Sequence, residues 1–384
     1  MIFGGSGRSG EGSIPSVATI GLRRPIRRLP RSGEPLSFQV TVHVEGAPLT
    51  WVSDAVLSAR AERELLDGAE ELLRFSAGRV SASDVQRTTR RVGRKIGELL
   101  LGRGVREALD DLAPSAVMLD VDETVLNLPW ELAGALEREL ALEVPLGRLV
   151  SSRVRPRPRR NPVGEDRVVR LLAVGDPTGD LPAAGAEVDA IAALSGPIGP
   201  STLEVTVLRG AAATRGHFDD LVRDGRFDVV HFAGHGRFDL RRPGESAIVF
   251  ADGPSLRADD VASIPWSQPP YVVFNSSCES ARSGGNRRLV SRSGSSSGLA
   301  AAFLAAGVQG YLGYSFVADD VSAAAVADAF YSGLCRLQNV GMAVLEARRS
   351  ARSRFDQVGD LAAFGLTYVG DAGGAHRADL ATAV

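Results

Sequence analysis

With 384 residues, 44% of them hydrophobic, the chain is long enough to bury one large core or two small ones, and a formal charge of −2 gives no electrostatic reason to expect a nucleic-acid partner. No apolar run approaches the roughly 18 residues of a membrane span, and the first residues lack the apolar core of a secretory leader, so neither a membrane partner nor a cleaved export signal is expected. Two cysteines give no disulfide framework, which suits a reducing cytoplasm and leaves a thiol to react. Lys95 is the only lysine, and the arginines are scattered among acids, a compositional bias rather than a basic patch.

Residues 1–35, rich in Gly, Ser and Arg with Arg23-Arg24 and Arg27-Arg28, are expected to form a flexible tail. Across 36–150 the pattern predicts a strand at Phe38 to Val44, helices near Ala55 to Phe75 and Ser83 to Leu109, a strand at Ala116 to Leu119 and a helix from Trp130 to Leu140. The stretch 151–166 includes Arg153 to Pro162, where three prolines and five arginines break any regular element, so it reads as a surface connection. From 167 to 372 strands alternate with helices, ahead of a tail at 373–384. Such alternation predicts an α/β fold with a mainly parallel central sheet, helices on both faces, and a smaller strand/helix region before it. No internal repeat is present.

Two of the strands end in reactive side chains. Phe227 to Phe232 runs into Ala233-Gly234-His235-Gly236, and Tyr271 to Phe274 runs into Asn275-Ser276-Ser277-Cys278-Glu279. Side chains at the carboxyl ends of adjacent parallel strands meet at the edge where α/β folds bind ligands. A thiol with a pKa of about 8.5 is only a few per cent thiolate at neutral pH, so a nucleophilic Cys278 needs a base. His235 is that candidate. A tetrahedral intermediate also needs backbone N–H donors, and Gly236, which lets the backbone approach closely, together with the amide of Cys278 would supply them.

These residues resemble the CHAT domains of the caspase-like clan of cysteine peptidases, relatives of caspases and separases, which carry one apolar strand ending in H-x-x-x-H-G and another ending in a small residue and Cys-Glu. The histidine precedes the cysteine at a spacing near the roughly 50 residues of caspases, although the local signature of caspases proper is missing. Leu128-Pro129-Trp130-Glu131-Leu132 looks like the family's upstream block. Ala213-Thr214, the segment Gly298 to Val308, Phe330-Tyr331, Ala347-Arg348-Arg349 and Ala363 to Gly370 extend the resemblance from about Ser37 to Asp371. One departure is Phe316, where the family usually has tryptophan ahead of its acidic pair, here Asp319-Asp320. The resemblance implies a caspase-like fold and a metal-free, cofactor-free cysteine endopeptidase with His235 and Cys278 as its dyad. It further implies a protein substrate, an activating protein partner, and a bacterial defence, stress or cell-death setting.

Asp319-Asp320 either caps a helix or, as in the separase relatives, lends acid to a pocket for a basic P1 side chain. Between Cys278 and Gly298 a Ser/Gly/Arg-rich segment with Arg287, Arg288 and Arg292 occupies the place of the linker that caspases process, so self-cleavage is expected there. Two other readings use the same chain. In the first, the fold is a catalytically silent scaffold that binds a partner. In the second, Asp120-Val121-Asp122-Glu123-Thr124 and Gly175 to Asp180 mimic the acidic motifs of magnesium-dependent haloacid dehalogenase-type phosphatases, although the charge-neutralising lysine between those motifs is missing. On that count the aspartates are read as turn formers, with no third residue to orient His235. His231 and His235, four apart on a strand, stand roughly 13 Å from each other, too far to share a metal. His231 is therefore expected to support its strand, and Cys335, on a helix, to be a small core residue.

Overall fold

The computed structural model describes residues 16–25, 34–76, 81–122, 124–135, 138–150, 167–239, 242–253, 255–277, 298–316, 320–354 and 359–373. The first part of the chain gives β1 (Val17–Arg23), β2 (Leu36–Val44), β3 (Thr50–Leu57), α1 (Ala59–Ser76), α2 (Ala82–Ile96), α3 (Gly102–Leu112) and β4 (Ala116–Val121). It continues with β5 (Gly134–Ala135), β6 (Arg138–Glu139), α4 (Leu140–Glu143) and β7 (Leu146–Arg148). The second part opens with β8 (Val168–Gly175), α5 (Pro182–Ala193), β9 (Gly196–Ile198), β10 (Ser201–Arg209), α6 (Arg215–Asp224), β11 (Val229–Ala233), β12 (Gly236–Arg237), β13 (Ala247–Val249) and β14 (Ser255–Arg257). It closes with β15 (Val272–Asn275), α7 (Leu299–Ala305), β16 (Gly310–Tyr314), α8 (Asp320–Leu337), α9 (Val340–Arg354), α10 (Gly359–Gly365) and β17 (Leu366–Gly370). No helix among the described residues is long and apolar enough to cross a membrane.

Among the described residues, twelve strands form one continuous sheet in the order β3-β2-β1-β4-β7-β17-β16-β15-β11-β8-β10-β9. Most neighbours are parallel, as the alternation of strands and helices predicts. The exceptions set the direction of the rest: β17 is antiparallel to β16, while β7, β4 and β1 run with β17. β1, β4 and β7 therefore point opposite to β8, β11, β15 and β16, and β2, antiparallel to β1, does not.

Period-two alternation along β11 sorts the core into two layers. Val229 and His231 face α5 and α8, in a layer holding Phe274, Phe330 and Tyr331. Val230 and Phe232 face α6 and α7, with Phe218, Phe250 and Phe303. A third cluster lies between α1–α3 and β1, β2 and β4, built from Ile20, Leu22, Phe38, Val40, Leu65, Val92 and Trp130, and Phe316, Leu361 and Phe364 join it from the second part.

Three expectations change. Val17–Arg23, inside the stretch expected to be a flexible tail, is an interior strand paired with β2 and β4, because Ala18, Ile20 and Leu22 alternate onto the buried face and are fully covered. Thr50–Leu57 is a strand hairpinned to β2, so the first helix begins at Ala59 and not near Ala55. The helix expected over Trp130 to Leu140 is one turn of 3₁₀ at Trp130–Leu132 followed by the β5–β6 hairpin. The Pro/Arg connection at 151–166 and the end of the C-terminal tail lie outside the described residues.

Candidate active site

β11 and β15 lie side by side and parallel, with His231 opposite Phe274 and Phe232 opposite Asn275, so both carboxyl ends open on one edge of the sheet. β8, on the other side of β11, ends on that edge too. Its carboxyl end carries Asp176-Pro177-Thr178-Gly179-Asp180 into α5.

His235 is half exposed and fixed by its backbone. Val249 N–H donates to its carbonyl at 3.1 Å. Gly236 then stands opposite Ile248 at a non-hydrogen-bonded position of the β12–β13 ladder, so β13 does not use the Gly236 N–H. The β8–α5 loop is drawn against the same backbone: Asp176 N–H donates to Ala233 O at 2.9 Å, and a Cβ on Gly234 would come within 2.9 Å of Pro177 Cδ. Asp176, in left-handed backbone (φ 43°), accepts from Leu181 N–H through Oδ1 at 3.0 Å, the turn-forming role expected of it.

Asp180 does more than turn the chain. Its Oδ1 lies 3.0 Å from His235 Nε2 and also accepts from Thr178 Oγ1. The Thr178 hydroxyl, and after it the His235 contact, hold the Asp180 carboxyl below its usual range. A carboxylate on Nε2 keeps the proton on that nitrogen and leaves Nδ1 free to accept one. The sequence reading missed this orienting residue. Its signal was the position of Asp180, at the carboxyl end of a strand two places from the cysteine strand.

The end of β15 is equally constrained. Ser276 N–H donates to Phe232 O at 2.7 Å, and Ser276 Oγ donates to Glu187 Oε2 at 3.1 Å. Asn275 is fully buried; its Nδ2 donates to Tyr311 OH at 3.1 Å, and its Oδ1 accepts from Ser277 N–H at 3.1 Å and Ser277 Oγ at 2.6 Å. Cys278 itself, with Arg287, Arg288 and Arg292, lies outside the described residues. So does Asp319, while Asp320 is the first residue of α8, which follows β16 from the same edge of the sheet as His235.

The phosphatase-like motifs do not meet. Asp120 and Asp122 end β4, on the edge opposite to the one that carries Asp176 and Asp180, because β17 reverses the strand direction between them. Arginines occupy both carboxylates: Arg23 pairs with Asp120, and Arg24 Nε with Asp122 Oδ1 at 2.9 Å, an oxygen that also accepts from Thr124 N–H and Oγ1. His231 is buried with Nδ1 3.0 Å from Tyr331 OH, the supporting role expected of it. Cys335 is buried, and desolvation raises its thiol to about 11.

This arrangement of strands, with His235 and the β15 end on one edge, is the fold of a caspase-like α/β protein. Two crystal structures of the Saccharomyces cerevisiae separase–securin complex share it. The 3.0 Å structure aligns at 10% identity with a TM-score of 0.58, covering 92% of this chain and 30% of that one. The 2.6 Å structure aligns at 12% identity with a TM-score of 0.53 and the same coverage. The chain thus spans about 30% of the length of these separase chains. It belongs to the CHAT domain family, whose model matches residues 90–364, somewhat less than the Ser37 to Asp371 suggested by the motifs. Comparison with curated proteins gives no match.

Proposed function

We propose that this CHAT protein is a cysteine endopeptidase in which Cys278 attacks the scissile carbonyl of a protein substrate and His235 carries the proton. The observation that supports it best is the Asp180–His235 contact at 3.0 Å, at the end of the strand next to the one that leads into Cys278. With Nε2–H held by Asp180, His235 Nδ1 accepts the thiol proton, and the nearby carboxylate stabilises the imidazolium that forms. The same nitrogen then returns the proton to the leaving amine. Gly236 N–H, which β13 does not use, and the Cys278 amide are the proposed donors to the oxyanion. No metal or other cofactor takes part in these steps.

The finer points of this reading concern specificity and control. Asp319 and Asp320 favour a basic P1 side chain, and Arg287, Arg288 and Arg292 would then be sites of self-cleavage. An activating protein partner in a bacterial stress, defence or cell-death pathway of the cytoplasm fits the family. The alternative is a silent scaffold.

The test compares wild type, Cys278→Ala and His235→Ala on a proteome-derived peptide library with chelator present. Cleavage by wild type alone, after Arg or Lys, is the expected result. Cleavage that survives Cys278→Ala overturns the nucleophile. Absence of cleavage by any of the three, together with Cys278 alkylation that does not respond to His235→Ala, leaves the scaffold. Cleavage after Leu or Asp removes the acidic-pocket assignment.

A further inference from the structure

Near the carboxyl ends of β11 and β15 lies a set of buried polar groups that the proposed dyad does not use. His231 is fully buried and Glu187, in the second turn of α5, nearly so. His231 Nε2 and Glu187 Oε1 stand 3.2 Å apart but out of hydrogen-bond alignment, and among the described residues neither atom has another partner. The second oxygen of Glu187 accepts from Ser276 Oγ at 3.1 Å, and His231 Nδ1 meets Tyr331 OH at 3.0 Å. Burial, and after it the Glu187 charge, raises the Tyr331 phenol well above its usual range, so it keeps its proton. With Tyr331 donating to Nδ1, the proton of the imidazole sits on Nε2, facing Glu187. A carboxylate removed from water at this depth is costly for a fold that needs only packing here.

What the carboxylate reaches is the end of the cysteine strand. Ser276, two residues before Cys278, is held by its N–H to Phe232 and by its hydroxyl to Glu187. The helix that supplies Glu187 begins just after Asp180, the residue on His235. One helix therefore restrains both arms of the dyad: its leading loop fixes the base, and its second turn fixes the strand end from which the nucleophile follows.

We infer that Glu187 is a positioning residue for Cys278, acting through Ser276 as a hydrogen-bond acceptor and kept in place by His231. The inference rests on the proposed dyad, so its test must separate the two. The rate and pH profile of Cys278 alkylation by iodoacetamide, located by mass spectrometry on the full chain, require neither a substrate nor an activator. Ser276→Ala and Glu187→Ala each lower the rate at neutral pH about tenfold, the equivalent of one hydrogen bond. Glu187→Gln restores it, because its amide oxygen still accepts from Ser276 while its NH2 donates to His231 Nε2 in the other imidazole tautomer.

Ser276→Ala removes one partly exposed hydroxyl, so it stays folded even where Glu187→Ala does not. A residue that only supported the fold would shift the melting temperature and leave the Cys278 profile of folded Ser276→Ala at the wild-type position, and that result overturns the inference. A profile that changes in His235→Ala but not in folded Ser276→Ala also overturns it, with the dyad intact. Identical profiles in wild type and His235→Ala overturn the dyad itself.

Discussion

For His235 to serve as the proposed base, one ring nitrogen must keep its proton and leave the other free to accept one, and in this chain one exposed carboxylate, Asp180 on Nε2, sets which. Asp180→Asn replaces an acceptor with a group whose NH2 can donate to His235 Nε2, which moves the imidazole proton to Nδ1 and blocks proton uptake. The expected result on the fluorogenic peptide identified by the library is a fall in kcat of about 10²-fold, the lower end of what general acid–base catalysis contributes, with KM little changed. A loss confined to KM would make Asp180 a substrate contact. The two thiols also separate at this scale. Cys335 is pushed up to about 11 from the ordinary 9.0, so the native protein takes one equivalent of iodoacetamide at pH 8 and the unfolded protein two. Because the unfolded thiol ionises first, near pH 9, stability falls as the pH rises from about 9 to 11, and Cys335→Ala loses that part of the decline in urea titrations. Native labelling at Cys335 would contradict its burial.

The elements that carry His235 and the approach to Cys278 were legible because buried parallel strands are short apolar runs, and the reactive residues punctuate their ends. Asp180 and Glu187 were not, since a carboxylate in a turn or in the second turn of an alanine-rich helix looks the same whether it faces water or a histidine. Only the β8–β11–β15 order brings them to the site. β1 was hidden for a different reason. Val17 to Leu22 carries its apolar alternation inside a Gly/Ser/Arg-rich stretch, and composition outweighed period. β3 was missed because Thr50 to Leu57 is an edge strand whose outward residues, Val52 and Val56, are apolar and exposed, so alternation of polar and apolar residues is absent. β1 joins the β2–β3 hairpin to β4, and its Ile20 is fully covered. Ile20→Ala is accordingly expected to cost about 2–5 kcal/mol, read from urea denaturation. A cost below about 1 kcal/mol, less than the side chain's burial should be worth, would mean that β1 contributes little to the folded state.

The parallel block β1-β4-β7-β17 runs opposite to the block β16-β15-β11-β8-β10, and a buried charge cluster joins the two halves of the sheet where these blocks meet. Glu131, from the Leu-Pro-Trp-Glu-Leu block, is fully buried and accepts from Arg148 of β7, with Nε on Oε1 at 3.0 Å and Nη2 on Oε2. Arg148 also donates to Leu126 O at 2.9 Å. On the far side Arg348 of α9, fully buried, places Nη2 3.9 Å from Glu131 and donates to Leu366 O at 2.9 Å and Leu146 O at 3.3 Å. Burial lowers Arg348 to about 10, with Glu131 opposing that shift, so it stays charged at neutral pH. The acid of that block is thus a counter-ion for two buried guanidinium groups from opposite parts of the chain, which explains why a charged residue sits beside a fully buried Trp130. Glu131→Gln leaves both cations uncompensated and is expected to cost about 3–5 kcal/mol. Since the cluster touches both halves, the loss should lower a single cooperative transition, seen at the same urea concentration by far-UV circular dichroism and by tryptophan fluorescence from Trp51, Trp130 and Trp266. Two separated transitions in the variant would show instead that Glu131 holds the halves together without being needed for either to fold.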